Sequence, residues 1–337
     1  MKRIILATGL VFAAASPAHA LSPDVRLSGT FGLGLSWFHD DSTLSQVNDW
    51  DVENNASNFR IEAAANELGL RAFMVYERGA SNDQQGVEDV RQFFGGVSGH
   101  YGTALFGRKA TDYRMAGERL DPFYNTSIAG FNGQFASEGA SYGLSNLTNG
   151  FTSNTLAYRS PAFAGFSGNG AVFVNDNNNQ GSGDKADYAL GAGYANSNWL
   201  GLDANLQVLD LNGNVVAGAP AGQSNAARLS ATLGEKLWAA GVSLEYVDVA
   251  VEADPRQYAY VSGSYQVMQD LRLAASYGHV SNSPSFDGDG ESLGVFYDVM
   301  HNLSVYAAAR HVTLKNGNKD DQTTVATGVK FVFDVDL

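Results

Sequence analysis

The chain has 337 residues, no cysteine, 38 glycines and a formal net charge of −14. The missing cysteine excludes a disulfide scaffold, a Cys-ligated metal and a thiol nucleophile, and the acidic balance excludes the basic surface that nucleic-acid binding needs. With 44% hydrophobic and 17% charged residues, the chain is neither a helical membrane protein nor a disordered acidic one.

Residues 1–20 read as a cleaved export signal: Lys2 and Arg3, an apolar run from Ile4 to Ala15, then Ser16-Pro17-Ala18-His19-Ala20. The run is shorter than the ~20 residues that cross a hydrocarbon core. Residues 21–337 are then expected to be one unit. From Val25 to Trp37 every odd position is apolar or Gly, with Arg26, Ser28, Thr30 and Ser36 between. This is a two-residue period sustained beyond the ~5–6 residues of an ordinary strand. It recurs at Leu200, Leu202, Ala204, Leu206 and Val208, again from Trp238 to Tyr246, and finally from Val325 to Leu337.

Connections alternate in length along the chain. Short turns are expected at Asn66-Glu67, His100-Tyr101, Pro161 to Gly165, Asn196 to Asn198, Glu235-Lys236, Gln269-Asp270 and His301-Asn302. Long polar segments are expected at Asp40 to Ser57, Asn175 to Lys185, Leu211 to Ser224 and Ser281 to Gly290. Short turns on one rim and long loops on the other, with alternating faces between, predict an all-β transmembrane antiparallel barrel of about 16 strands. Only a closed barrel lets so polar a chain span lipid with its backbone satisfied. Alternation directs Arg60, Glu62, Arg71 and Glu245 inward.

Two segments are more specific. Arg91-Gln92-Phe93-Phe94-Gly95-Gly96 with Tyr101-Gly102-Thr103-Ala104-Leu105-Phe106-Gly107-Arg108-Lys109, followed by Asp121-Pro122-Phe123, resembles the strands and loop of the Gram-negative trimeric general porins. Asn154 to Gly168 resembles the strand and turn after that loop. Leu337 departs from the family's common terminal Phe.

The resemblance implies a homotrimeric outer-membrane channel for passive diffusion of small hydrophilic solutes and ions, in contact with lipid and lipopolysaccharide. It also implies that residues 110–149 fold into the lumen and narrow it. Asp112, Glu118, Asp121 and Glu138 would form the acidic side of that narrowing. Arg60, Arg71, Arg91 and Arg108 would form the basic wall, with Lys109 as a further candidate. Leu27, Phe31, Leu33 and Leu35 are candidates for the trimer contact. The acidic excess suggests a preference for cations. A solute-specific channel and an adhesin or structural barrel are the alternatives.

No cofactor, catalytic site or nucleic-acid partner is expected. The histidines lack zinc-ligand spacing, and no Gly-x-Ser-x-Gly elbow occurs. Asp287, Asp289 and Glu291 form a weak candidate for calcium because they offer alternating oxygens, without the full spacing of a calcium loop.

Overall fold

A computed structural model describes residues 23–41, 47–80, 90–131, 142–174, 187–196, 201–211, 224–250, 252–283, 287–315 and 320–337. The export signal and Glu138 lie outside these residues. Six strands come first: β1 (Asp24–Asp40), β2 (Val47–Asn54), β3 (Asn58–Glu67), β4 (Leu70–Gly79), β5 (Val90–Gly99) and β6 (Gly102–Ala110). A segment holding the helix α1 (Asp112–Glu118) and a 3-10 turn at Asn146–Asn149 follows. The wall then continues through β7 (Phe151–Arg159), β8 (Phe166–Phe173), β9 (Asp187–Asn196), β10 (Leu202–Leu211), β11 (Ser224–Glu235) and β12 (Trp238–Val249). It ends with β13 (Arg256–Met268), β14 (Leu271–Ser281), β15 (Gly288–Met300), β16 (Leu303–Leu314) and β17 (Asp320–Asp336).

From β3 to β17 each strand pairs antiparallel with the next, and β1 closes the ring by pairing with β17 along its whole length. The other edge of β1 pairs with β2 over Leu33–Asp40 and with β3 over Asp24–Thr30. β2 and β3 are thus two halves of one barrel strand, so the chain forms a closed antiparallel barrel of sixteen strands. The Asp40–Ser57 segment, expected to be a loop, is therefore largely strand. The alternation there is hidden because Asp49, Asp51 and Glu53 share the segment with Trp50 and Val52.

The break at Asn55-Ala56-Ser57 is held by β1. Asn55 donates its backbone N–H to Gly32 O at 2.9 Å, and the Ser57 hydroxyl both accepts from Gly32 N and donates to Gly32 O. Ala56 takes a positive φ of 58°. A Cβ on Gly32 would lie 2.7 Å from Asn55 O, so only glycine lets the strands meet here.

The outer face is apolar, with Phe31, Leu33, Leu35, Ile61, Phe93, Phe106, Leu190, Leu244 and Leu293 all exposed. That is the pattern of a surface solvated by lipid. Inside, the inward-folded segment and the wall bury apolar side chains together. Tyr113 and Leu147 pack with Phe173, Leu209, Val247 and Val280 of the wall. Phe123 and Ile128 pack with Ala274, Tyr306 and Ala308. Strands facing this plug therefore carry apolar residues on both faces near their loop-side ends, as Val208 and Leu209 do.

Candidate constriction site

The inward segment begins with a capped turn. Thr111 accepts a hydrogen bond from Arg114 N at 3.0 Å, and Asp112 sits in the first turn, where the free N–H groups of a helix favour a carboxylate. Three wall clusters then fix the segment against β11–β15. Glu245 accepts from Tyr113 Oη at 2.6 Å, Ser145 N at 3.1 Å, Arg228 Nη2 at 2.9 Å and the Ser145 hydroxyl. Arg228 also donates to Tyr113 O and Thr148 Oγ1, and both charges are fully buried. Tyr142 lies across Gly278 and Gly290, where a Cβ would collide with it, and its hydroxyl meets Ser276 and Ser292. The third cluster is Asp121, which accepts from Phe123 N at 2.9 Å, Gly130 N at 2.7 Å and Tyr260 Oη at 2.8 Å.

With the segment held to that wall, the open cavity lies against β1 and β3–β7, with a volume of about 480 Å³. Its charged lining comprises Arg60, Arg91, Lys109, Arg114 and Arg159 against Glu77, Asp112 and Glu118, five cations to three anions. The cations and acids form a connected row. Arg71 Nη2 meets Glu62 at 2.7 Å, Arg60 lies 3.5 Å from Glu62 and 3.6 Å from Glu77, and Arg91 Nε donates to Glu77 at 2.9 Å. On the loop side, Lys109 and Arg159 hold Asp112 at 3.1 and 2.8 Å, and Asn169 donates to its other oxygen. Burial alone would push the Asp112 carboxyl up, yet the charges of Lys109 and Arg159 outweigh it and hold it below the usual carboxylate range. Arg114 stacks on Phe151, with Cζ 4.1 Å from the ring centroid, and reaches Glu118 at 3.6 Å.

Several expectations need correction. Asp121 is 5% exposed and ties the loop to itself and to Tyr260, so it is no part of the cavity's acidic side. Arg108 follows Ala104 and Phe106 on β6 and registers with Phe93, both rings being exposed on the outer face. Its guanidinium bonds Val90 O and Ser153 Oγ, and Lys109 lines the cavity in its place. Arg91 goes the opposite way. Alternation would turn it outward with Phe93, but β5 carries a bulge opposite Glu77/Arg78 that re-aims it to the lumen. Arg71 is half exposed near a short turn and joins the row only through Glu62.

The chain's acidic excess is not gathered here. Acids such as Glu67, Asp248 and Asp336 are exposed at strand ends. The calcium candidate dissolves too, because Asp289 is occupied by Lys315, His279 and Tyr277, while Asp287 accepts from Ser283 N. Among the described residues no cluster of acids and histidines could hold a metal. The sequence reading missed Glu77 and Arg159. Alternation on β4 (Phe73, Val75, Glu77) and on β7 (Ala157, Arg159) carried a signal for both.

A sequence profile described as Gram-negative porin matches residues 7–318. The chain belongs to the Gram-negative porin family. Among solved structures, the anion-selective porin from Comamonas acidovorans superposes with a TM-score of 0.75 at 15% identity, covering 92% of this chain and 100% of that one. OmpF of Salmonella typhi, in complex with daunomycin, gives 0.66 at 16% identity over 92% and 97%. The outer-membrane channel DcaP of Acinetobacter baumannii gives 0.66 at 10% identity over 95% and 100%. No curated protein matches in sequence. Family and fold together make this porin an outer-membrane channel.

Proposed function

We propose that this porin is a passive diffusion channel for small hydrophilic solutes and ions, and that its narrowing leans toward anions. The observation that carries the selectivity is the lining itself, five cations against three anions around one cavity. Charges that line a narrow water-filled passage act on a permeating ion at close range, whereas rim carboxylates are screened beyond ~8–10 Å. The cation preference suggested by the overall charge finds no support in this lining. Export by cleavage after Ala20, assembly as a homotrimer and contact with lipopolysaccharide complete the reading. The exposed Phe31, Leu33 and Leu35 are the expected trimer face, and the channel needs no enzymatic step.

Planar-bilayer recording of the purified mature protein under a KCl gradient tests it. Stable openings with a reversal potential on the chloride side are expected. A potassium-side potential would overturn the selectivity, and silence from protein shown to be folded and inserted would overturn the channel.

A further inference from the structure

On β14 and β17, two cations of the described residues stand without a carboxylate in contact. Arg272 is the second residue of β14, and Lys330 of β17 registers with Ser304, the second residue of β16. Both therefore lie near the short-turn rim, on the far side of the loop from the long connections. Arg272 registers with Phe296, Phe296 with Tyr306 and Tyr306 with Gly328, which precedes Lys330 by two residues on the same strand face. The two cations thus flank one aromatic pair on the inner wall, whose ring centroids are 5.9 Å apart.

The Arg272 guanidinium lies over the Phe296 ring, with Cζ 4.2 Å from the centroid. Stacking fixes the plane of the guanidinium and leaves its N–H edge available to an acceptor. Arg272 also lines a cavity of about 390 Å³ directly beneath Arg119, Leu120 and Pro122 of the loop. Among the described residues, neither Arg272 nor Lys330 has an ion-pair partner within 4.0 Å. Asp298, two residues from Phe296 on the same strand, is exposed and reaches Arg272 only with its longer-range field, as Glu118 reaches Lys330. Every cation of the constriction row has an acid in contact; these two do not.

We propose that Arg272 and Lys330 form an anion station on the short-turn side of the constriction, which takes small dianions. Arg272 and Lys330 lie near enough for each to feel the other's charge, so a dianion between them is drawn to both, an advantage that a monovalent ion does not gain. The station rests on the channel reading for its use, but its binding can be read without conductance.

Chloride current through the wild-type channel would be recorded at about 0.1 M KCl while inorganic phosphate is titrated at mildly alkaline pH, where the dianion predominates. A saturable block is expected, stronger from the short-turn side. Arg272→Gln and Lys330→Gln should each raise the half-blocking concentration about fivefold, the double variant should abolish the block, and Arg272→Lys should retain most of it. Equilibrium dialysis of labelled phosphate against the detergent-solubilised protein should follow the same order, with the β-sheet circular dichroism of each variant checking its fold. Block and dialysis unchanged in the folded double variant would overturn the station, as would a block lost only in Arg91→Gln. A wild type that binds phosphate through these residues yet never opens would sink the channel reading and leave the station.

Discussion

Arg91 and Arg108 show how one residue of bulge decides the role of a side chain. Family resemblance places both in the basic wall. On β6 the alternation Ala104, Phe106, Arg108 sets Arg108 with the outer rings, beside a register shift in the pairing with β7, whereas the bulge on β5 turns Arg91 inward against Glu77. Arg91→Ala should therefore move the reversal potential toward potassium, and Arg108→Ala should leave it near the wild-type value. Equal shifts in the two variants, measured under one KCl gradient, would contradict this assignment. Alternation was fully legible in the sequence; the bulge was not, because one extra residue leaves no mark in composition. The same limit hid the function of Asp121, whose motif Asp-Pro-Phe was visible but whose three hydrogen-bond donors come from Phe123, Gly130 and Tyr260.

At the scale of the element, the inward segment is held at its base and along its back by different chemistry. Along its back stands the fully buried Arg228–Glu245 pair, whose acid also accepts from Tyr113 and Ser145. Glu245→Ala leaves a buried guanidinium without its counter-charge, which costs about 3–5 kcal/mol. The variant should melt at a lower temperature and show noisier, larger openings as the segment leaves the wall; an unchanged conductance trace would refute the tether.

At the base of the segment, Asp112 carries two cations. Its carboxyl is held below the ordinary value, so its stabilising contribution is complete above the unfolded value of about 3.9 and is lost as pH falls through the lowered one. Wild-type openings should become unstable below about pH 4, and Asp112→Asn should show that behaviour already at neutral pH. The burial of this base was beyond the sequence, since Arg159 and Asn169 reach Asp112 from strands 47 and 57 positions away.

For the whole molecule, two charge distributions compete. The chain is strongly acidic, with a formal charge of −14, yet the cavity lining carries five cations to three anions. The outcome depends on how far each distribution reaches. At about 0.01 M salt the screening length is ~30 Å, so the carboxylates near the rims act on the mouth and enrich cations there. At about 0.1 M it is ~10 Å, and an ion inside the constriction responds chiefly to the lining. At about 1 M it is ~3 Å, and both influences fade. Anion preference should therefore rise and then fall with salt, with its maximum at intermediate ionic strength. Reversal potentials taken at a fixed concentration ratio over that range would check it. A preference that decays steadily from the lowest salt would mean that the lining alone governs at every distance. Cation preference at all three would mean that the rim charge reaches the constriction despite its five lining cations.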